Sequence, residues 1–230
     1  DRPVLGYPSV QSVQDALNYE ISKIVDPNYI YVKWNSVGGN GSLANPFGTI
    51  QEGINAVNAG GVVNILQETY PVTTTINVNK AGITLLGNNH PVIMLQANTI
   101  PLLVSGSNVT IDGLTMTSIT AYPKEFIQVG GNNVMLRNNT IYGPPQPLPM
   151  SSWIVNRAVV SQNSITNISL QNNKFYSLRT GMYINPNTTG AINNNIVYNT
   201  KGGFLVDRAL TTFTGNSWGI PANEYDIVLL

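Results

Sequence analysis

The stretch Asn133–Ile141, NVMLRNNTI, returns along the chain with its pattern kept and its letters changed. Its relatives are NVTIDGLTM from Asn108, NISLQNNKF from Asn167, GAINNNIV from Gly190 and TTFTGNSW from Thr211, with a looser copy, ITLLGNN, from Ile83. The central apolar residues of these copies are Leu85, Ile111, Leu136, Leu170, Ile192 and Phe213, separated by 26, 25, 34, 22 and 21 residues. A recurring period in the low twenties is the mark of a stacked-repeat architecture, in which each repeat buries its apolar face only against its neighbours.

Composition agrees with a repeat protein of the β class. The chain has 230 residues and only 10% charged residues, against about 25% in an average globular chain. Mean hydropathy is +0.01, so low charge comes with ordinary hydrophobicity, which is not the signature of disorder. Eleven cations balance eleven anions; no bulk electrostatic footprint for nucleic acid results, and any anion site must be local. No apolar run is long enough to span a membrane, and no leader peptide is visible. The abrupt start at Asp1 points to a leader or preceding domain having been removed. Cysteine is absent, which excludes disulfide stapling and thiolate metal ligands.

Within a rung, alternating residues turn apolar side chains into a narrow core. Three residues beyond each anchor stand Asn88, Leu114, Asn139, Asn173, Asn195 and Asn216. An inward asparagine tolerates a left-handed turn and can hydrogen-bond to its equivalent about 4.8 Å away, so this column reads as structural. The long gap between Leu136 and Leu170 holds GPPQPLPMSSW, Gly143–Trp153. Its four prolines forbid ladder pairing and expel it as a loop. The spacing Val10, Val13, Leu17, Ile21, Ile24 predicts an amphipathic helix capped by Ser9 or Ser12 and ended by Pro27. That helix is either a cover for the end of the array or a short oligomerisation helix, since 3,4 spacing is what a coiled-coil seam requires. The final stretch Ala222–Leu230 is either the last rung or a strand folded back as a cap.

From Tyr29 to Tyr70 an alternating strand leads through a glycine-rich turn to Thr49-x-x-Glu52, a capping box that opens a short helix through Val57. Gly60-Gly61 stops it and Val62–Leu66 resumes as a strand. GGNGS, NPF-x-TIQ-x-x-I-x-AV and GG-V-x-I resemble the opening coil of the right-handed parallel β-helix, or pectin-lyase-like, proteins. These include bacterial surface proteins, phage and viral tail spikes, and polysaccharide-degrading enzymes. Over residues 29–218 the resemblance implies an all-β right-handed parallel β-helix of six or seven coils. The expected organisation is an N-terminal helix over 1–28 and the β-helix over 29–230.

The second strand of successive coils opens with a basic residue: Lys124, Arg157, Arg179 and Lys201, preceded by Tyr122, Trp153, Tyr176 and Tyr198. If these stack rung on rung, guanidinium groups pair with carboxylates or sulfates and rings lie on sugar faces, giving a groove for an acidic polysaccharide. The competing reading is a solvated edge whose aliphatic stems cover apolar surface. For catalysis, the calcium cluster of the pectate lyases and the aspartates of the polygalacturonases are unmatched, because Asp112, Glu125 and Asp207 are isolated and His90 lies at a turn. Metal-free elimination could still be assembled from Arg179, Tyr183 and Asp207, and Tyr183 and Asp207 count among the candidate ligand-binding residues. The sequons at Asn40, Asn108, Asn138, Asn167 and Asn187 fall where repeat asparagines are common and are not read as glycan sites.

The expectation is therefore a non-enzymatic module of an extracellular, cell, spore or virion surface. It contacts a glycan through the basic and aromatic face, requires no cofactor or metal, and has a homo-trimer through the N-terminal helix as its candidate assembly. The alternative is a polysaccharide lyase or glycosidase.

Overall fold

The computed structural model describes residues 10–162 and 164–230. It is an all-β parallel solenoid of about seven turns. One wall is an eight-stranded parallel sheet that runs in chain order from Tyr29–Val32 through Val62–Ile65 and Thr84–Gly87 to Leu210–Thr214. The other sheet supplies two walls. One contains Thr69–Val72, Val92–Leu95, Thr115–Ser118 and Thr140–Tyr142, and the other Ile76–Val78, Leu102–Val104, Glu125–Val129 and Arg157–Ser161. The strands Lys174–Ile184 and Ile196–Val206 run through both, turning the corner at Ser177 and Asn199, whose φ values are 55° and 50°.

All six anchors fall in one column: Leu85 pairs with Ile111, then Leu136, Leu170, Ile192 and Phe213. Val63 and Ile30 extend it toward the N-terminal end. From Leu85 to Ile192 these side chains are at most 1% exposed, so burial of the anchor is what fixes register; a one-residue slip would turn every anchor to solvent.

The asparagine column is real, but its two tasks belong to neighbouring residues. The left-handed turn is taken by Asn138, Asn172 and Asn194, each at φ 56°, and by Gly113 and Gly215. The next residue then points inward. The Oδ1 atoms of Asn139, Asn173, Asn195 and Asn216 accept from the backbone N–H of Leu114, Asn139, Asn173 and Asn195 at 2.9–3.0 Å. Their Nδ2 atoms donate to the carbonyls of Ile111, Leu136, Leu170 and Ile192. Each carboxamide thus gives an acceptor to a backbone N–H at the bend and a further donor to a carbonyl of the strand. Asn88 does not take part: it is exposed.

The N-terminal end is closed. Helix α2, Ile50–Ala56, is opened by the complete Thr49/Glu52 capping box and buries Ile50 and Ile54, with its C-cap Val57, over the first coil. Gly53 lets it settle there, since a Cβ would stand 2.5 Å from Val32 Cγ2. The free edge of Tyr29–Val32 is also occupied, with Tyr31 and Lys33 N–H donating to the Gly41 and Phe47 carbonyls at 2.9 Å. Helix α1, Val10–Ser22, stops before Ile24 and Pro27 rather than running on to them. Ser9 lies outside the described residues, and Ser12 is inside the helix rather than at its cap. The stripe faces solvent, with Val13, Leu17, Ile21 and Ile24 at 52–67% exposure, so α1 is not a cover for the array. At the other end, residues Ala222–Leu230 hold the strand Tyr225–Leu229, which runs parallel to its predecessor and is a rung, not a folded-back cap.

Tyr70 locks the first corner, its hydroxyl donating to the Val32 and Leu66 carbonyls at 3.0 and 2.8 Å. Burial pushes this phenol well above the usual tyrosine range, and burial also raises Tyr176 and Tyr183. Unfolded tyrosines lose their proton near pH 10 while these keep it. The unfolded state then binds fewer protons, so stability falls as pH rises. The denaturation midpoint is accordingly expected to hold up to about pH 9.5 and drop above it. Urea titrations across that range check this, and Tyr70→Phe should flatten the fall.

Candidate functional site

The corner between the two smaller walls gathers most of the residues singled out in the sequence. It does so in a different arrangement. Glu125 pairs with Arg157, Arg157 with Thr180, and Thr180 with Gly202. Lys124, Arg179 and Lys201 therefore share one register with Asn156, and Arg157 stands one residue further along. The four-membered basic ladder is thus a correction: three members align with an asparagine between the first and second, and the fourth occupies the next register.

Arg179 and Lys201 are already engaged. The Arg179 guanidinium donates through Nη1 to the carbonyls of Ser151 and Trp153 at 2.9 and 2.7 Å, while Asn156 Oδ1 accepts from the Arg179 backbone N–H at 2.8 Å. The proline-rich insertion is thereby pinned against the corner. Lys201 faces Glu224 at 3.7 Å. Trp153 is no exposed platform either: it is 5% exposed and its indole N–H donates to the Pro147 carbonyl, making it the small core of the loop. Tyr122 packs against the main core.

The aromatic column that does form is Tyr142, Tyr176 and Tyr198, with ring centroids 4.8 and 4.9 Å apart and interplanar angles of 4° and 3°. Tyr142 escapes a search for aromatics that precede basic residues. It lies six residues beyond Leu136, as Tyr176 lies beyond Leu170 and Tyr198 beyond Ile192, and this offset is the signal that finds it. The stack corrects the picture of rings lying on sugars, because the faces are spent on one another. Gly219 covers the far side of Tyr198, where a Cβ would stand 2.7 Å from Cδ1. What the ladder offers a ligand is ring edges and phenol hydroxyls, with Lys174 Nζ 5.4 and 5.5 Å from the Tyr176 and Tyr198 centroids.

Around the corner, on the outer face of the last wall, Arg157 lies over the Tyr183 ring at 5.6 Å. Tyr183 donates to Asp207 Oδ2 at 3.2 Å, and Arg208 holds Asp207 Oδ1 at 2.8 Å. The Arg208 hydrogen bond is the main reason the Asp207 carboxyl lies below its usual range. Burial, then the charge of Asp207, raises the Tyr183 phenol. At neutral pH the phenol is thus a proton donor to a carboxylate already committed to an arginine, and neither group is poised as a general base. Arg179, spent on the loop, does not join them. The elimination grouping of Arg179, Tyr183 and Asp207 is thus not assembled; Arg157 takes the place expected of Arg179.

Of the other acids singled out in the sequence, Glu125 opens the strand Glu125–Val129 beside Arg157. Asp112 accepts from Arg137 Nε and Asn138 Nδ2, both at 2.8 Å. His90 is an exposed turn residue at φ 54°. Among the described residues no three His, Cys, Asp or Glu side chains cluster as metal ligands. Beside the pinned loop runs a hollow of about 320 Å³ lined by Gln146, Leu148, Met150, Trp153, Ser177 and Asn199. No family model, curated protein or solved structure matches the chain.

Proposed function

We propose that the chain is a stiff, non-enzymatic module of an extracellular, cell, spore or virion surface, and that its loop-bearing side holds an acidic polysaccharide. The observation that carries this reading is Arg157. Its side chain is half-buried, makes no hydrogen bond or ion pair among the described residues, and has a buried, unpartnered Nε. A partly desolvated guanidinium that makes no ion pair with Glu125, its partner on the neighbouring strand, leaves its outer nitrogens to an anion with oxygens in one plane, as a uronate carboxylate has. Lys124 stands on the neighbouring strand one register before it and Lys174 on the wall across the corner, both without ion pairs among the described residues, so a polymer with repeated charges gains more than a single ion would. The likeness to pectin-lyase-like β-helices and to surface and appendage proteins of that fold belongs to the same proposal.

The module is proposed to assemble as a trimer through α1. A helix of 13 residues is marginal alone in water, and one with a bare apolar stripe gains most from copies of itself.

The binding reading is tested on immobilised polygalacturonate. Arg157→Gln with Lys124→Gln removes two cations that make no ion pair among the described residues, and loss of charge-assisted contacts of about 1.5–3 kcal/mol each is expected to bring retention down to that of an uncharged polysaccharide. Retention equal to that of the parent protein overturns the reading.

A further inference from the structure

The first coil carries a hollow of about 300 Å³, bounded by the turn that holds Trp34, by the start of α2 at Thr49, and by the strand and bend from Tyr70 to Thr75. None of the eleven residues that line it is charged. Trp34 is 37% exposed and meets Tyr70 edge to face, with ring centroids 6.5 Å and planes 66° apart. Such a contact covers one face of one ring only, so at least one face of the indole is left open by Tyr70. The tyrosine ladder is the opposite case, its faces spent on one another. Most polar groups of the lining are committed. The Tyr70 hydroxyl donates to two carbonyls, Thr49 Oγ1 donates to Glu52 Oε2 at 2.8 Å, Gln51 Oε1 accepts from the Asn77 N–H at 2.8 Å, and Thr75 bonds Thr99 at 2.8 Å. Thr73 and Thr74 are exposed, and their hydroxyls make no hydrogen bond among the described residues.

We propose that this hollow binds one neutral pyranose ring, its C–H face against the Trp34 indole and its edge hydroxyls on those of Thr73 and Thr74. A pyranose divides its surface in the same way as the hollow does, with apolar C–H groups on a face and hydroxyls around the rim. Tryptophan gives that face a large, rigid apolar partner at little cost in side-chain entropy. Threonine hydroxyls both donate and accept, so they meet a sugar hydroxyl in either sense. The volume stands at the lower end of the ~300–1,000 Å³ of ligand pockets, which suits a single ring. A uronate is disfavoured here, because its carboxylate would lose water with no cation in the lining to receive it. Arg157 stands three strands further along the wall that Ile76–Val78 opens. The proposal does not rest on the acidic-polysaccharide reading.

Saturation-transfer NMR on the full chain tests it, using the methyl glycosides of glucose, galactose and mannose, with methyl glucuronide as the charged counterpart. At least one neutral glycoside is expected to receive saturation, strongest on the C–H protons of one ring face, and to shift the indole N–H resonance of Trp34, while the glucuronide does neither. Trp34→Ala should abolish the transfer. Thr74→Lys changes an exposed bend residue and leaves the indole in place; it should abolish the transfer too, with the Trp34 resonance reporting that the coil is still folded. Absence of transfer to every neutral glycoside overturns the proposal, as does equal transfer to the glucuronide or transfer that survives either variant. An indole resonance shifted by oligoproline and by no glycoside would overturn it in favour of a peptide ligand. Polygalacturonate enters none of these measurements, so a negative result bears on the hollow alone.

Discussion

Replacing Asn173 with alanine is expected to lower the free energy of unfolding by about 3–5 kcal/mol. The side chain is 1% exposed and its carboxamide serves two neighbouring rungs. Without it, the backbone N–H of Asn139 loses its acceptor and the Leu136 carbonyl loses one donor. Asn139 Nδ2 also loses one of its two acceptors. Each buried polar group left unmatched costs about 1–3 kcal/mol, and water cannot enter the bend without displacing the Leu136 and Leu170 layers. The adjacent Asn172→Gly is the control. It keeps the left-handed turn, which glycine adopts freely, and should shift stability by a few tenths of a kcal/mol. Urea unfolding of both variants decides the matter; near-equal losses would mean that the turn, not the inward amide, holds the corner together.

Arg179→Ala is expected to release the insertion while leaving the solenoid folded. Two hydrogen bonds from a cation to carbonyls disappear, at about 1.5–3 kcal/mol each. The remaining ties of the loop to the body are weaker. Local opening should therefore become easier by about 3–6 kcal/mol, which is on the order of 100- to 10,000-fold faster amide exchange over residues 146–155. The Trp153 emission should move toward that of a hydrated indole, while the urea midpoint of the whole chain changes little. A global loss of stability with the loop still protected would show that Arg179 supports the rungs rather than the loop.

These two residues also show how much could be read in advance. Asn173 was legible because a rung repeats its environment every twenty-odd residues, so the same physical demand selects the same residue at the same offset. The anchors from Leu85 to Phe213 were found for that reason and fall in a single column. Arg179 was legible as a residue but not in its role, because its partners are backbone carbonyls of an insertion that occurs once. No periodicity announces which way such a loop folds. Arg157 was displaced from the expected ladder by one residue for a related cause: the insertion shifts the chain where it rejoins the rung, and Asn156 takes the position that a basic residue fills in the rungs on either side. The tyrosine stack was half visible, Tyr176 and Tyr198 by their basic neighbours and Tyr142 only by its offset from the anchor. The ring orientation that makes edges rather than faces available follows from the rung spacing, which brings successive rings to within stacking distance.

The loop-bearing side is proposed to bind an acidic polysaccharide without cutting it. Titration of polygalacturonate into the full chain, followed by calorimetry and then by ultraviolet absorbance for unsaturated uronate and assay for new reducing ends, tests it most directly. Binding is expected to saturate, to weaken as salt is added, to be lost with Arg157→Gln and Lys124→Gln, and to leave the polymer intact. Absence of binding, or accumulation of cleaved product, would contradict it.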